Sequence, residues 1–294
     1  MDGIIVIDKE KNYTSNDIVQ IVKKTLNEKV GHCGTLDPLA TGVLPILVGK
    51  GTLCSKYLVN HNKIYTATIK LGTKTDTADS EGKVIEEKEV DSNILNKDNI
   101  DMVFTSLVGK QEQIPPMYSA IKVNGRKLYE YARKGEKIDV KPRQIEIYEI
   151  RCLNINTEDR EITYRVSCSK GTYIRTLCED IAIKLGTVGH MKKLRREKVG
   201  IFDIDKAIKI NDFKENYSNK EYMNKHFITI EELFKESKKI KLNKKQLHLI
   251  LNGVKIKIEN ENEIYRMYDV NNIFVGIGIV ENNLLKRDII LTEK

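Results

Sequence analysis

The sequence has no long apolar run and no paired cysteine motif. None of its apolar runs approaches the roughly 20 residues needed to cross a bilayer. Residues 1–8 have no basic flank and too short an apolar run for a signal peptide. The five cysteines are an odd number without a C-x-x-C pair, which argues against a disulfide framework and against a zinc ribbon. We therefore expect a cytoplasmic protein with reduced, mostly buried thiols.

The chain of 294 residues is longer than one typical domain, and 40% of its residues are hydrophobic, which is enough for a sizeable core. One large domain with a smaller one is the first expectation. The formal charge is +8, and residues 192–198 contain five cations, while residues 238–257 contain seven lysines and no acid. This asymmetry suits a polyanionic partner. On charge alone, however, ordinary solvated faces of a lysine-rich protein explain it slightly better.

The pattern of apolar residues predicts strands mixed with helices in no regular βαβ order. A capping box at Thr14 and Asp17 begins a helix that runs to about Leu26. Residues 63–71 alternate between apolar and polar, as a half-buried strand does, and residues 174–185 have the apolar stripe of an amphipathic helix. These elements indicate an α+β fold with a mixed, largely antiparallel sheet flanked by helices.

Three further segments bear on the organisation of the chain. Residues 43–48 indicate a short strand, and Pro45 places it near a sheet edge or a bulge. Residues 203–237 have weak helical patterns with many Asn and Lys, and we assign a linker region to them. From residue 238 a helix and two or three short strands form a small separate module.

The most distinctive segment is the glycine-rich stretch of residues 31–42, between two apolar segments. Its three glycines permit backbone shapes that other residues rarely adopt. Pro38 favours an extended conformation for Asp37, the one carboxylate of the stretch. Taken alone, Asp37 is adequately explained as a turn residue ahead of a proline. Its importance therefore depends on the rest of the sequence.

Residues 31–42 closely resemble the catalytic-aspartate motif of the bacterial tRNA pseudouridine-55 synthases, the pseudouridine synthase B type. Other segments resemble the same family in the same order, and these are residues 63–72 with 75–82, 114–135, 169–175 and 194–196. The resemblance covers nearly all of residues 1–202. Residues 238–294 resemble, over a shorter stretch, a PUA domain, which is a small β-rich RNA-binding fold.

The resemblance implies a pseudouridine-synthase fold in a catalytic domain of residues 1–237, followed by a PUA-like domain of residues 238–294. It also implies an enzyme that isomerises uridine to pseudouridine at position 55 in the T-loop of tRNA, by base flipping and an aspartate nucleophile. The family needs no cofactor and no metal. The expected partner is the T-arm stem-loop of tRNA, with no membrane and no obligate protein partner.

The resemblance also assigns roles to individual residues. Asp37 matches the nucleophilic aspartate, and Tyr65 matches the tyrosine that stacks on the target base. Arg175 matches the arginine that pairs with the aspartate, and Leu194 matches a residue that lines the pocket. His32 matches the residue that helps to order the flipped-out nucleotides of the RNA loop.

Further RNA-contacting residues follow from the same motifs and from the basic tract. Asp79 and Lys9 are candidates on the RNA side of the site, and Arg196 is expected to hold phosphate groups together with the other cations of residues 192–196. Two departures from the family pattern occur, with Glu10 in place of a common proline and Cys33 in place of a common threonine.

The residue types suit this reaction. Isomerisation breaks the glycosidic C–N bond, turns the base and joins C5 to C1′, without net transfer of electrons. A carboxylate can serve as the nucleophile, and whether Asp37 attacks C1′ or C6 stays open. Burial in a base-filled pocket raises the pKa of a carboxylate, and a paired Arg175 opposes that rise. A base inside a folded RNA loop must be flipped out before it can react.

Two other interpretations stay open at this point. Cys33 with His32 could form the nucleophile and base of a hydrolase or transferase, although adjacent residues seldom face each other properly. A non-catalytic RNA-binding protein or RNA chaperone would explain the basic tracts but not the segment around Asp37. An assay for pseudouridine in previously unmodified tRNA separates these alternatives.

Overall fold

The computed structural model describes residues 1–136 and 138–292. Residues 293 and 294, the last two of the predicted PUA-like domain, lie outside this range. The strands β1 to β19 are, in chain order, Gly3–Lys9, Val30–His32, Thr41–Val48, Lys63–Leu71, Thr73–Thr75, Val84–Glu87, Gly109–Gln113, Lys122–Val123, Arg126–Lys127, Arg143–Asn156, Glu161–Cys168, Gly189–Val199, Phe202–Asp203, Phe227–Thr229, Lys238–Lys241, Ile256–Lys257, Ile264–Tyr268, Phe274–Glu281 and Leu284–Ile290. The helices α1 to α9 are Ser15–Leu26, Ser55–Leu58, Lys97–Leu107, Leu128–Ala132, Ile174–Lys184, Ile210–Asn216, Lys220–His226, Ile230–Leu233 and Lys244–Leu251. Within the described ranges, none of these helices is both long and apolar enough to cross a membrane.

The central sheet has the strand order β14-β1-β3-β12-β4-β11-β10-β7, with β2 beside β3 and β13 beside β12. Neighbouring strands are antiparallel except for β3 and β12, which pair in parallel through Arg195 with Thr41 and Arg196 with Gly42. The predicted mixed, largely antiparallel sheet is therefore confirmed. The parallel pair matters for function because it joins the end of the glycine-rich segment to the strand that carries Leu194.

The two faces of β4 differ as the alternation predicts. Tyr65, Ala67, Ile69 and Leu71 are buried in the main hydrophobic core, which the apolar stripes of α3 and α5 complete. Each fully buried aliphatic side chain of this kind contributes about 1.5–3 kcal/mol relative to an exposed one. The opposite face of β4 carries polar side chains such as Thr66. The helices thus pack against the same face of the sheet that carries Tyr65.

The assignment of residues 203–237 to a linker region was wrong. Helices α6 and α7 and strand β14 lie in this segment, and β14 pairs with the edge of β1. Ile210 and Phe213 are fully buried in the main core. The helices are only seven residues long, and the pairing of β14 with β1 joins residues more than 200 positions apart, so the local sequence pattern contains little information about either.

The predicted position of Pro45 was also wrong. It lies in β3, which has β1 on one side and β2 and β12 on the other, so the strand is not at a sheet edge. The carbonyl oxygen of Pro45 accepts a hydrogen bond from the backbone N–H of Cys33 at 3.0 Å, just beyond the end of β2. On this side of β3, β2 pairs with residues 46–48 and β12 with residues 41 and 42, so Pro45 lies between the two pairings. The backbone N and C=O of a strand residue point to the same side, so the N–H that proline lacks would not have bonded to either strand.

The C-terminal part is β-rich, as predicted, and consists of α9 and the sheet β15-β17-β18-β19-β16. It has a small core of its own around Tyr265, Met267 and Leu285. Ile277 and Ile289, however, lie in a second hydrophobic cluster together with side chains of β1 and β3. The hydroxyl of Tyr57 also donates to Asp288 at 2.5 Å. The C-terminal sheet therefore shares buried surface with the rest of the chain.

Candidate active site

A cavity with a volume of about 390 Å³ contains the aspartate of the glycine-rich segment. It lies where β4 begins, against the loop before β3 and the start of α5. Its lining residues are Gly34, Thr35, Leu36, Asp37, Lys63, Tyr65, Tyr118, Ser119, Ala120, Tyr129, Gly171, Thr172, Tyr173, Ile174, Arg175, Leu194 and Arg196. A cavity of this size accommodates a small organic ligand.

The loop that carries Asp37 is held by buried polar side chains. Ser15, at the start of α1, donates to the carbonyl oxygen of Leu36 and accepts from its N–H at 2.9 Å. The Lys9 Nζ donates to the carbonyl oxygen of Pro38 at 3.3 Å and to that of Tyr13 at 2.6 Å. These bonds satisfy loop groups that would otherwise be buried without a partner.

Arg196 holds the same loop from the opposite side. Its guanidinium donates to the carbonyl oxygens of Gly34 at 2.8 Å, Thr35 at 3.3 Å and Val43 at 2.8 Å. Only 1% of the residue is exposed. The planar arrangement of five N–H donors allows one arginine to bind several carbonyl groups of a tightly curved backbone. The loop is thereby tied to β12, and Asp37 occupies a fixed position.

Asp37 and Arg175 form an ion pair at the floor of the cavity, with 3.0 Å between Nε and Oδ2. The buried arginine side chain, at the start of α5, also donates to the carbonyl oxygens of Tyr118 at 2.8 Å and Thr77 at 3.3 Å. A carboxylate oxygen of Asp79 lies 3.8 Å from Nη1. These partners hold the guanidinium in the orientation that faces Asp37.

The surroundings of Asp37 raise the pKa of its carboxyl group. Burial is the main cause; the Arg175 guanidinium opposes it, and the Asp79 carboxylate adds to it. Some 35% of the side chain is nevertheless open, towards the cavity. Asp37 is therefore a carboxylate in a crowded setting that can still be reached by a ligand.

Tyr65 and Leu194 face the cavity from the adjacent strands β4 and β12. In the register of these strands, Arg196 lies opposite Tyr65 and Leu194 lies opposite Ala67. Because Tyr65 and Ala67 share the core face of β4, the side chains of Tyr65 and Leu194 both lie on the core face of the sheet. Burial raises the pKa of the Tyr65 phenol, which the nearby Arg196 guanidinium partly offsets. The phenol is thus protonated at neutral pH. The cavity brings together five of the predicted site residues, namely Asp37, Arg175, Tyr65, Leu194 and Arg196.

Three predicted RNA-contacting residues, Lys9, Asp79 and Arg196, are almost fully buried. Lys9 has no exposed surface, and its Nζ is used by carbonyl groups of the protein. Asp79 is only 5% exposed and accepts from the hydroxyl of Thr77 at 2.7 Å and the N–H of Glu81 at 3.1 Å. Arg196 is buried beneath the loop, as described above. Lys9 and Arg196 thus hold the loop and Asp79 lies beside Arg175, while Arg196 also lines the cavity. Direct contact of these residues with RNA stays a prediction.

The neighbouring cations of the basic tract point away from the cavity. Arg195 forms a two-bond ion pair with Asp8, at 2.9 and 3.1 Å, on the other face of the sheet. Lys192 is paired with Glu161. Arg195 and Lys192 are thus engaged by carboxylates of the protein, whereas Lys193 is exposed. Contact of this tract with RNA phosphates stays a prediction.

His32 and Cys33 lie at the end of β2 and do not line the cavity. The His32 Nδ1 is buried with no hydrogen-bond partner, and burial, together with Arg196, lowers the pKa of the imidazole. Burial raises the pKa of the Cys33 thiol. A thiol that is buried and protonated is a poor nucleophile. The geometry therefore argues against the thiol enzyme considered above.

Several cavity residues were not assigned from the sequence. Lys63 precedes Tyr65 by two positions, so the alternation of β4 could have placed it on the same face. Tyr173 lies between the turn before α5 and Arg175, within a recognised motif. Ser119 has a buried hydroxyl without a hydrogen-bond partner. The carbonyl group of Tyr118 gives no signal in a sequence, because every residue has one.

No group of three or more His, Cys, Asp or Glu side chains in the described parts of the chain is arranged to hold a metal ion. The residues that line the cavity instead include one carboxylate, three cations, four tyrosines and several apolar side chains. Such a set can hold a flat ligand against Tyr65 and present a nucleophile to it.

Solved structures share this fold. The structure of an H/ACA RNP bound to a substrate RNA containing 2′-deoxyuridine has a chain that superposes with a TM-score of 0.70 at 23% identity, over 99% of this chain and 85% of that one. A chain of a Cbf5-Nop10-Gar1 complex gives a TM-score of 0.69 at 26% identity, over 99% and 84%. The fold is therefore that of an established group of proteins.

Family models match nearly the whole chain. The N-terminal domain of the TruB family of pseudouridylate synthases matches residues 22–174. The tRNA pseudouridylate synthase B C-terminal domain matches residues 175–235, and the C-terminal model of pseudouridine synthase II TruB matches residues 239–286.

Curated relatives agree over their full length. "tRNA pseudouridine synthase B" of Clostridium kluyveri is 43% identical over 95% of this chain and 96% of its own. The protein of the same name from Clostridium perfringens (strain 13) is 41% identical over 100% of both, and that of Aquifex aeolicus is 38% identical over 97% and 98%. The fold and the relatives together define an isomerase of the pseudouridine synthase class. Within that class, the chain belongs to the TruB family.

Proposed function

We propose that the chain converts uridine 55 in the T-loop of tRNA to pseudouridine, with Asp37 as the nucleophile and without cofactor or metal. The observation that carries the proposal is the Asp37 carboxylate, paired with Arg175 at 3.0 Å and still open to a cavity faced by Tyr65 and Leu194. The relatives named tRNA pseudouridine synthase B support tRNA as the substrate.

The reaction balances within the nucleotide itself. Attack by the Asp37 carboxylate, at C1′ or at C6, allows the bond between C1′ and N1 to break. The base turns, C5 bonds to C1′, the proton at C5 leaves, and N1 gains one. The carboxylate is then released unchanged, so no oxidant, reductant or co-substrate is required.

Arg175 and Tyr65 supply what the nucleophile and the base need. The guanidinium keeps its charge when buried and favours the ionised form of Asp37 against the effect of burial. The Tyr65 ring offers a flat face for a base that has left the RNA stack, and its protonated phenol can donate a hydrogen bond. Because the cavity is recessed, the target uridine must be flipped out of its loop to enter.

The C-terminal part, residues 238–294, is proposed as a second RNA-binding region. The seven lysines of residues 238–257 are all exposed. Lys238 is paired with Glu261 and Glu263, so the other six are the better candidates for phosphate contacts. These contacts would act on affinity for tRNA and leave the chemical step unchanged.

The direct test is incubation of the purified protein with unmodified tRNA transcript, followed by mapping of pseudouridine. The expected product is one pseudouridine per tRNA, at position 55, formed equally well in the presence of a chelator when the substrate is a short T-arm stem-loop. A product at another position would disprove the site assignment, and binding without any product would favour a non-catalytic RNA-binding protein.

A further inference from the structure

Lys63 is a cation of the cavity to which the proposed chemistry gives no task. It is the first residue of β4 and lines the cavity beside Tyr65. The two residues are two positions apart and on the same face of the strand, which separates them by roughly 7 Å along its axis. Lys63 is therefore about one nucleotide's width from the ring expected to receive the base.

The charge of Lys63 has no counterion in the described part of the protein. Its Nζ donates to the carbonyl oxygen of His61 at 2.7 Å, and no carboxylate of these residues lies within ion-pair distance of it. An ammonium group has three N–H donors, so two remain available. The other two cavity cations differ, because Arg175 is paired with Asp37 and Arg196 is used by three carbonyl groups.

The surroundings of Lys63 make an anionic ligand favourable. Burial lowers the pKa of its ammonium group, and the nearby cations Arg196 and Lys170 lower it further. Asp37 is the one carboxylate among the described residues that line the cavity, and its charge is already opposed by Arg175. A half-buried cation beside other cations is stabilised when an anion binds to it.

A nucleotide whose base lies between Tyr65 and Leu194 carries its anionic groups beside the base, in the two phosphodiesters that flank it. We infer that Lys63 binds one of these two phosphates and so holds the flipped nucleotide by its backbone. The inference rests on the proposed function, and it assigns to Lys63 a contact that the basic tract of residues 192–196 was expected to provide.

The test combines a variant of the protein with a change in the RNA. Two T-arm stem-loops are prepared, each with an uncharged methylphosphonate in place of one of the two phosphates that flank the target uridine. Wild type, Lys63→Gln and Lys63→Arg are compared, with Lys23→Gln as the matched control, because Lys23 is exposed on the last turn of α1 and lines no part of the cavity. The dissociation constant and the single-turnover rate at saturation are measured, and circular dichroism checks the fold.

We expect Lys63→Gln to weaken binding of the unmodified stem-loop by about tenfold or more, with a saturating rate within about threefold of wild type. Lys63→Arg, which keeps the charge, and Lys23→Gln should bind like wild type. One of the two methylphosphonates should weaken binding by wild type and have no further effect on Lys63→Gln, since both changes remove the same contact.

Equal effects of both methylphosphonates on wild type and on Lys63→Gln would overturn the inference, as would unchanged binding by a folded Lys63→Gln protein. The wild-type reaction in the same experiment distinguishes failure of the Lys63 contact from failure of the proposed function. If wild type forms pseudouridine and the Lys63 variants behave like it, only the phosphate contact is wrong.

Discussion

Asp37 is the residue on which the chemistry depends, and its replacement gives the simplest prediction. Asp37→Asn keeps the shape of the side chain but removes the nucleophile, so pseudouridine formation should be abolished. Affinity for tRNA should stay within about tenfold, since phosphate contacts provide most of the binding. Both quantities are measured on the same preparation, with product detection in single-turnover reactions.

Control of that experiment requires protein free of wild-type enzyme, expressed in a host without its own synthase of this class. Turnover by the pure Asp37→Asn protein would contradict the assignment of Asp37 as nucleophile. Loss of both activity and binding would place Asp37 among the groups that hold the RNA.

The raised pKa of Asp37 leads to a prediction about pH. The carboxyl group must be ionised to attack, so the single-turnover rate should fall as pH drops through its pKa, at a higher pH than for an ordinary aspartate near 4. Arg175→Gln removes the cation that opposes the rise, so this acid limb should move to still higher pH. Arg165→Gln, which breaks an ion pair with Glu197, is the control and should leave the limb in place.

A limb that stays in place in Arg175→Gln would show that the arginine does not set the ionisation of Asp37. The rate of the Arg175→Gln protein at its optimum pH reports whether Arg175 also positions Asp37 or the substrate. The pH at which the rate falls reports only the ionisation of Asp37.

At the scale of residues, the sequence was sufficient to predict which side chains meet in the cavity where a motif contains the residue itself. Asp37, Tyr65, Arg175 and Leu194 come from four separate segments, and the fold brings them into one cavity. The sequence was insufficient where the role of a charged side chain depends on its exposure to solvent. Lys9, Asp79 and Arg196 have the charges expected of RNA contacts, but whether a charged side chain faces solvent or a buried carbonyl group depends on tertiary packing.

At the scale of elements, β1 and the loop before β3 depend on one buried lysine. Burial is the main cause that lowers the pKa of Lys9, to about 8, although its Nζ makes three hydrogen bonds to carbonyl groups. The ammonium form is therefore less favourable in the folded protein than in the unfolded chain, where the pKa is near 10.5.

The consequence is an unusual dependence of stability on pH. Between about pH 8 and pH 10.5 the unfolded chain binds more protons at Lys9 than the folded protein does, so this residue makes stability rise with pH, by up to about 3 kcal/mol in total. Lys9→Met should lack that rise, whatever its stability at neutral pH. Urea unfolding at several pH values gives the unfolding free energy of both proteins. The contributions of other titrating groups cancel in the difference between wild type and Lys9→Met.

Parallel stability curves for wild type and Lys9→Met across that range would mean that Lys9 titrates at its ordinary pKa. In that case the loop around Asp37 would be held by a lysine that stays charged throughout.

Elements were predictable where one face is continuously apolar. The alternation in β4 and the stripe in α5 predicted the strand and the helix, because each buries a regular set of side chains in the main core. Strand β14 has only three residues, and its pairing with β1 provides its main backbone hydrogen bonds. Nothing in its own sequence indicates that partner.

At the scale of the whole molecule, the shared cluster of Ile277 and Ile289 with β1 and β3 predicts that the two parts of the chain unfold together. Ile277→Ala should lower the unfolding free energy by about 2–5 kcal/mol. Ile273→Ala, in the same C-terminal part but 59% exposed, is the matched control and should change it by less than about 0.5 kcal/mol. Urea unfolding followed by circular dichroism should show one transition in every case.

Two separate transitions, with only the later or the earlier one shifted by Ile277→Ala, would show that residues 238–294 are an independent unit. The sequence predicted such a separate module, since its lysine tract and short strands differ from what precedes them. It could not show the packing of two isoleucines against strands more than 200 residues away, because the apolar pattern of β18 and β19 does not say which surface each side chain meets.

Gly42 lies between the backbones of the two strands whose side chains hold the loop, opposite Lys9 on β1 and Arg196 on β12. Its φ is +105°, and a Cβ there would be 2.2 Å from the carbonyl oxygen of Arg196. Both ends of the segment from Asp37 to Gly42 are thus fixed, Gly42 by its neighbouring strands and Asp37 by its ion pair with Arg175. Insertion or deletion of one residue in this interval would reverse which side chains of β3 face the core or would shift the carboxylate relative to Arg175. We therefore expect this chain to tolerate changes of side chain here better than a change in the number of residues.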